Sequence, residues 1–471
     1  MRSMNLAEIR LAVNGRWHAT DASERMVHGV SNDTRTVKEG DLYVAIRGER
    51  FDGHAFLADA AAKGAAGALI EAAYNGPVPE NLPCIMVGDT RRALGMFASH
   101  YRKQAVGTCV VSVAGSNGKT TTREMIAAVL AQRGETIRNK DNHNNDIGVP
   151  QTIFDIEART RFAVIELGTN HPGELDCLAG MVEPDIAVLT SIGEEHLEGF
   201  GDIEGVMREE AAIFRGMKAD GVAIVNYDNR YCVRAREEVK GRVVSFGFDQ
   251  RCEIRGQDIV FDQSGAHFRV NGRHAFRLPM LGEHNVRNAL AAIACGWVCG
   301  VDVAAMQAAL ANFKPVGKRM EVEHIGGAIV LNDCYNANPA SMRAALATIN
   351  DFKAKGRRIV ALGDMFELGG KAALQHEMLG WYVRTKQVDM ALCVGPLMRL
   401  LGQRVEECGI PTLYFDDATQ AGEALAGELK AGDVLLVKGS RGMKMEKLIE
   451  VLTQRMATSS PDAPLADSRR M

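Results

Sequence analysis

The stretch Thr108–Thr121, TCVVSVAGSNGKTT, decides the fold. It opens on an apolar run with little polar alternation, the mark of a strand buried on both faces of a parallel sheet. Gly115, Ser116, Asn117 and Gly118 then form a glycine-rich turn, after which Met125, Ile126, Val129 and Leu130 recur at helical spacing. A strand, a glycine turn and a helix in this order cradle a phosphate. The turn aims backbone N–H groups at the anion, and the helix adds the positive end of its dipole. Lys119 is placed to neutralise the β- and γ-phosphates of a nucleotide, and the Thr120 hydroxyl to ligate Mg2+, with Thr121 following inside the helix start. The loop is two residues shorter than GxxxxGK[ST], so its setting between strand and helix carries the reading.

Working outward, buried-strand runs of the same kind follow at Phe162–Leu167, Ile186–Ile192 and Val222–Val225, and a helix at Asn285–Cys299 closes the region. This predicts an open parallel sheet with helices on both faces over residues 106–315. Residues 1–105 carry shorter strands (Leu42–Ile46, Ala68–Ile70, Cys84–Val87) between Ala-rich helices, a small α/β domain. Lys314, Pro315 and Gly317 read as a hinge. Beyond it, residues 316–458 repeat the alternation (Ala328–Leu331, Arg358–Leu362, Met390–Val394, Val434–Val437) as a Rossmann-like domain without GxGxxG. Residues 459–471 read as a disordered tail.

Composition agrees with three α/β domains. The 471 residues exceed one domain, and 46% hydrophobic with 24% charged residues excludes collagen-like, coiled-coil and largely disordered chains. With 55 Lys+Arg against 59 Asp+Glu there is no basic field for nucleic acid. The ten cysteines show no paired CxxC and read as reduced thiols; Cys295 and Cys299, four apart on a helix, make at most half a metal site. Glu8 and Arg10 interrupt any signal-peptide core, and the longest apolar stretch, Ala289–Val301, is well short of a membrane span. A cytoplasmic protein with no stable membrane insertion is expected.

Two further strand ends converge on the phosphate loop. Glu166 ends Phe162–Leu167 as a second Mg2+ ligand, and His196, in GEEHLEGFG, follows Ile186–Ile192 at the equivalent edge.

Together these stretches resemble the Mur ligases, ATP-dependent amide ligases. The carrying motifs are AGSNGKTT, NHNNDIGVP (Asn142–Pro150), ELGTN, GEEHLEGFG, GEHNVRNALAA (Gly282–Ala292), KRME (Lys318–Glu321), NDCYNANP (Asn332–Pro339) and KGSRGMKME (Lys438–Glu446). VSNDTR, GDLYVAIRGERFDGHAF and LGDMFELG look like the last ligase of the series, which joins D-alanyl-D-alanine to UDP-N-acetylmuramoyl-tripeptide. The resemblance implies chemistry with ATP and Mg2+ through an acyl phosphate; three domains joined by hinges, with substrates held by different domains, also predict closure during turnover, and a monomer is expected. It implies that His196 holds a metal or orients the site, that Asn285 and Asn288 meet adenine, and that Asp333, in a turn with Asn336, meets the ribose. Arg319 would reach the phosphates. Ser31, Asp33, Thr34 and Arg35 would lie near the uridine diphosphate, Asn144 and Asn145 near substrate, and Asp364, Ser440 and Arg441 near the dipeptide.

One departure stands out. Where the family carries a carbamylated metal-binding lysine, this chain has Glu210, and a family glutamate is replaced by Ala212. The expectation is that Glu210 supplies the charge directly, joining Thr120, Glu166 and His196 as a metal ligand through a bridging water. The alternative functions are a folylpolyglutamate synthetase, which lacks the N-terminal uridine domain, and a phosphate-loop ATPase switch, which needs no acceptor.

Overall fold

The computed structural model describes residues 1–458, apart from 20–21, 49–50, 263, 316 and 352–353. The expected tail at 459–471 and the start of the last domain at Val316 therefore lie outside the described residues. Among those residues the chain builds three principal sheets. The first has five strands in the order Arg16–Trp17, Cys84–Val87, Gly67–Glu71, Asp41–Val44 and Gly29–Ser31, parallel except for the first. The third has six, in the order Glu321–Ile325, Ala328–Asp333, Val434–Lys438, Arg358–Gly363, Met390–Val394 and Thr412–Phe415, with only the Glu321–Ile325 pairing antiparallel.

The central sheet has nine strands, and Cys109–Ala114 lies between Ile186–Leu189 and Phe162–Glu166. The chain leaves that strand toward one side and later returns to the other, which makes its C-terminal end a topological switch point where α/β sheets bind ligands. Every residue from Val110 to Ala114 is buried. The helix Lys119–Leu130 lays Met125, Ile126, Val129 and Leu130 against the sheet, and the helix Glu283–Val298, buried nearly all round from Ala289 to Gly296, packs beside it.

The fully parallel expectation needs correction at one edge. Ile254–Asp262, Gly265–Val270 and His274–Leu278 add an antiparallel meander, attached through a short parallel pairing to Arg242–Gly247. Along Ile254–Asp262 burial alternates with exposure, so the strand is half solvated and lacks the continuous apolar run that betrays a doubly buried one.

The domains meet in two different ways. Between the first two, one hydrophobic core runs continuously from Met4 and Leu94 through Phe97 to Phe154 and Leu178. The Phe97 and Phe154 rings lie 4.7 Å apart, the Tyr101 hydroxyl donates to the Ile156 carbonyl at 2.6 Å, and the buried Arg102 bonds Val182 O at 3.0 Å and Asp185 at 2.8 Å. Between the second and third domains the contacts at the switch point are polar, while behind it Leu281 of the central domain joins the third domain's hydrophobic core and Phe261 packs against it. Asn338 donates to Asn117 at 2.9 Å, Arg319 to the Thr120 hydroxyl at 2.9 Å and Gln375 to Glu194 at 2.6 Å.

Candidate active site

The phosphate loop is shaped by its neighbours. Gly115 has φ +123°, and a Cβ there would sit 2.4 Å from the Thr190 hydroxyl, so only glycine fits. Ser116 exchanges hydrogen bonds with the backbone of Gly193, and the hydroxyls of Thr190 and Ser191 both donate to the Asn117 carbonyl. Gly118, left-handed at φ +84°, starts the helix without any side-chain cap. The first helical N–H groups therefore lack an intramolecular side-chain partner, the arrangement that binds an anion. Lys119 folds back to donate to Gly115 O at 2.6 Å. Burial opposes its charge, but Glu195, Glu210 and Glu166 together hold it above its ordinary pKa.

These groups line a cleft of about 1360 Å³ to which all three domains contribute, beginning with Arg91 from the first. From the third domain comes Arg319, nearly buried, its guanidinium 3.7 Å over the Tyr335 ring while it bonds Thr120. Burial outweighs the pull of Glu166, Tyr335 and Asp333 and lowers its pKa. Asp333 is held by Lys438 at 2.6 Å and by the Met320 amide at 3.2 Å, and Lys438 also donates to Asn336 O. The buried Asn285 donates to Leu281 O and Asn288 faces it at 3.4 Å; Asn288 also abuts Gly118. His284 lies between these groups with its pKa lowered to about 4 by burial, so it stands neutral.

The three matching family descriptions fall in order along the chain: Mur ligase family, catalytic domain, over residues 26–102; Mur ligase middle domain over 113–296; and Mur ligase, glutamate ligase domain, over 318–441. The UDP-N-acetylmuramoyl-tripeptide–D-alanyl-D-alanine ligase of Bacillus subtilis is 34% identical over 456 residues, covering 96% of this chain and 98% of its own length. The chain belongs to the Mur ligase family. A crystal structure of MurF from Acinetobacter baumannii superimposes with a TM-score of 0.88 at 30% identity, over 96% of this chain and 99% of that one. The MurF ligase of Thermotoga maritima in complex with ADP shares the fold, with a TM-score of 0.81 at 24% identity over 92% and 99%.

In this Mur ligase the loop residues 116–121, Asn144, Asn145, Glu166, His196, Asn285, Asn288, Arg319, Asp333, Asn336, Ser440 and Arg441 all line the cleft. Asn144 donates to Glu166 at 2.9 Å, and Asn139 clamps the Glu166 backbone through both its N–H and its C=O. The Asn145 side chain accepts from the Gly148 amide and so caps the helix Gly148–Phe154. Ser440 is buried, donating to Ala337 O and accepting from the Phe366 amide, whereas Arg441 is exposed and paired with Glu446 at 2.6 Å.

Several expectations are redrawn. Thr120, Glu166, His196 and Glu210 do not close on one point: among the described residues no three His, Cys, Asp or Glu side chains form a ready metal cage. His196 turns away to Glu367 of the third domain, 2.5 Å from its Nδ1. Glu210 does not line the cleft but lies fully buried behind Glu195, with which it shares a hydrogen bond. Burial pushes its pKa up to about 8, despite the opposing pull of Lys119. Asp364 is buried away from the cleft and accepts from the Leu397 and Met398 amides where the helix Met398–Glu406 begins, beyond the neighbouring strand Met390–Val394, so it acts as a cap. Ser31, Asp33, Thr34 and Arg35 form a separate first-domain turn, with Arg35 paired to Asp33 at 2.6 Å and Lys63 bonded to Thr34 O. The neighbouring Asn32 joins that turn to Gln151 of the central domain at 2.7 Å.

The residues missed are Glu195, Tyr335, Lys438 and Glu367. Glu195 lines the cleft with an oxygen 3.9 Å from Lys119. Its signal was the doubled acid in GEEH.

Proposed function

We propose that this Mur ligase joins D-alanyl-D-alanine to UDP-N-acetylmuramoyl-tripeptide, driven by ATP cleavage. The observation that carries this is a single cleft with an uncapped helix N-terminus and Lys119 on one wall and Arg319, from another domain, on the other. The full-length likeness to the B. subtilis ligase supports the choice of substrates.

The tripeptide's terminal carboxylate attacks the γ-phosphorus of ATP, giving an acyl phosphate and ADP. The dipeptide amine then attacks the acyl carbon, the tetrahedral intermediate expels inorganic phosphate, and the amine gives up a proton as the amide forms. The first step gathers negative charge, so the work of the protein is positioning and charge neutralisation. Lys119 and the helix amides meet the phosphates from the central domain, and Arg319 meets them from the third. Asn285 and Asn288 receive adenine, and Asp333, kept in place by Lys438 and near Asn336, receives the ribose.

The donor set fits a hard divalent cation such as Mg2+. Glu210 keeps a buried carboxylate oxygen without a hydrogen-bond donor, Glu166 has one oxygen 3.2 Å from the Arg123 guanidinium and the other bonded by Asn144, and the Thr120 hydroxyl and Glu195 stand at the cleft. Mg2+ bound there supplies charge neutralisation and keeps several waters, which suits an incomplete cage. Glu195, at the cleft, would hold such a cation, and Glu210 behind it would add its charge where the family carries a carbamylated lysine.

The work divides by domain: the uridine end at residues 1–105 through Ser31, Asp33, Thr34 and Arg35, ATP chemistry at 106–315, and the dipeptide at 316–458 beside Ser440 and Arg441. One copy supplies every wall of the cleft, which is compatible with a monomer acting in the cytoplasm. No helix among the described residues is long and apolar enough to cross a membrane.

The test is phosphate release from ATP with UDP-muramoyl tripeptide, with and without D-alanyl-D-alanine. Release that needs both is expected. Release that ignores both would sink the ligase assignment in favour of an ATPase switch, and activity on a folate acceptor instead would favour the folylpolyglutamate reading.

A further inference from the structure

The mechanism uses Lys119 and Arg319 and leaves another buried cation unaccounted for. Arg123 lies one turn after Lys119 on the helix Lys119–Leu130 and is fully buried. Its guanidinium reaches three segments of the chain. Nε and Nη2 donate to Glu124 Oε1 at 3.1 and 2.7 Å, and Nη1 donates to the Asp141 carbonyl at 2.9 Å while standing 3.2 Å from Glu166 Oε2. Glu124 accepts on its other oxygen from Arg138 at 2.6 Å. Arg138, Glu124, Arg123 and Glu166 therefore alternate in sign from a half-exposed arginine inward to a carboxylate that lines the cleft.

Taking such charges out of water costs about as much as their attraction returns, so a buried ionic chain adds little to stability. What it adds is geometry. Glu166 Oε2 is buried and receives no hydrogen bond, so the neighbouring guanidinium holds it by charge. Oε1 accepts instead from Asn144, a residue of the cleft. The pull of Arg123 on the inner oxygen thus decides which oxygen is left for the cleft, while Asn139 fixes the Glu166 backbone.

We infer that Arg123 is a positioning residue for the cation-holding carboxylate: by tying Glu166 Oε2 and the Asp141 carbonyl to the phosphate-loop helix, it presents Glu166 Oε1 to a divalent cation at the cleft. The inference rests on the proposed place of Glu166 among the donors for Mg2+ and adds the group that aims it. The same guanidinium joins the segment carrying Asn144 and Asn145 to the helix that begins at Lys119. Carboxylate, asparagine loop and phosphate loop are thereby held at one spacing. Groups that orient a metal ligand in this way contribute about tenfold or more to metal affinity.

The experiment measures Mn2+ binding, by electron paramagnetic resonance, to the full chain saturated with a nonhydrolysable ATP analogue, so that no turnover enters. Mn2+ stands in for Mg2+ because both take octahedral oxygen ligands. Arg123→Met weakens Mn2+ binding about tenfold and lowers Tm, since it leaves Glu166 without its counter-charge. R123M/E124M removes the pair together and recovers part of the Tm but none of the Mn2+ affinity. Arg123→Lys, which returns the charge without the fork, binds Mn2+ within about threefold of the unaltered chain. In a Glu166→Gln background, itself weakened, none of these changes lowers Mn2+ affinity further. Unaltered Mn2+ affinity in R123M/E124M overturns the positioning role, and so does a loss that persists in full beside Glu166→Gln. Arg123→Lys binding as weakly as R123M/E124M overturns the hold by charge. Glu166→Gln with unchanged Mn2+ affinity overturns both this inference and the place of Glu166 in the cation site, a failure distinct from one confined to the Arg123 variants.

Discussion

The two seams between domains are built in different proportions: the first is a broad apolar core, and the second is polar at the cleft with only Leu281 and Phe261 packed into the third domain's core behind it. The first joins the N-terminal domain to the central domain through one shared apolar core, sealed by Tyr101 and the buried Arg102. The second joins the third domain to the phosphate loop through side-chain hydrogen bonds and ion pairs: Arg319 to Thr120, Asn338 to Asn117 and Glu367 to His196. A core packed across an interface separates only with a large exposure of apolar surface. Polar pairs at the mouth of a cleft exchange for water at little net cost. The first seam is therefore a weld and the second a closing edge, so closure for catalysis belongs to the third domain.

Substitutions at the closing edge should lower turnover while leaving thermal stability alone, and substitutions at the weld should do the reverse. Lys119→Ala, which removes the loop cation, lowers steady-state phosphate release roughly a thousandfold and also lowers Tm, because it leaves Glu195 and its buried neighbours without their counter-charge. Arg319→Ala lowers it about a hundredfold, and Arg319→Lys does not restore it, because an ammonium cannot both stack on Tyr335 and reach Thr120 as the guanidinium does. A sharp fall in Tm for Arg319→Ala would dissolve the distinction. Arg102→Met leaves the carbonyls of Val182 and Glu183 without their donor and lowers unfolding stability by about 3 kcal/mol, read by urea titration, while kcat per folded molecule holds. Glu367→Gln trims the exposed His196 pair and shifts KM by no more than about fivefold.

The gentlest test is a slope. Glu210 has its pKa raised from an ordinary 4.5 to about 8 by burial, so from about 4.5 upward the unfolded chain ionises this group while the folded one keeps it neutral. Its contribution is fully present below 4.5 and is lost by about pH 8. In nucleotide-free protein, Glu210→Gln flattens that part of the pH dependence of the urea midpoint. An unaltered slope would mean that Glu210 is not held neutral.

The welded parts and the sheets were the more legible in sequence. Apolar runs such as Cys109–Ala114 and Met390–Val394 announce doubly buried strands by composition alone, and the loop–helix junction at Gly118–Lys119 follows from glycine and periodicity. The half-solvated Ile254–Asp262 gave no such run. Tyr335 under Arg319, Lys438 on Asp333 and Glu367 on His196 depend on residues brought together from distant segments, which no local spacing records. A carboxylate at a strand end such as Asp364 looks the same in sequence whether it faces a ligand or, as here, caps a helix that starts more than thirty residues later. Glu210 was found by its place in a motif, but its depth behind Glu195 comes from packing.

The central claim is that the cleft between the loop and Arg319 drives a carboxylate onto the γ-phosphate. Turnover with UDP-muramoyl tripeptide labelled with oxygen-18 in its terminal carboxylate, in unlabelled water, tests it most directly. The account predicts one labelled oxygen in each phosphate released together with the amide product. Unlabelled phosphate accompanying that product would contradict an acyl phosphate and the role given to the cleft.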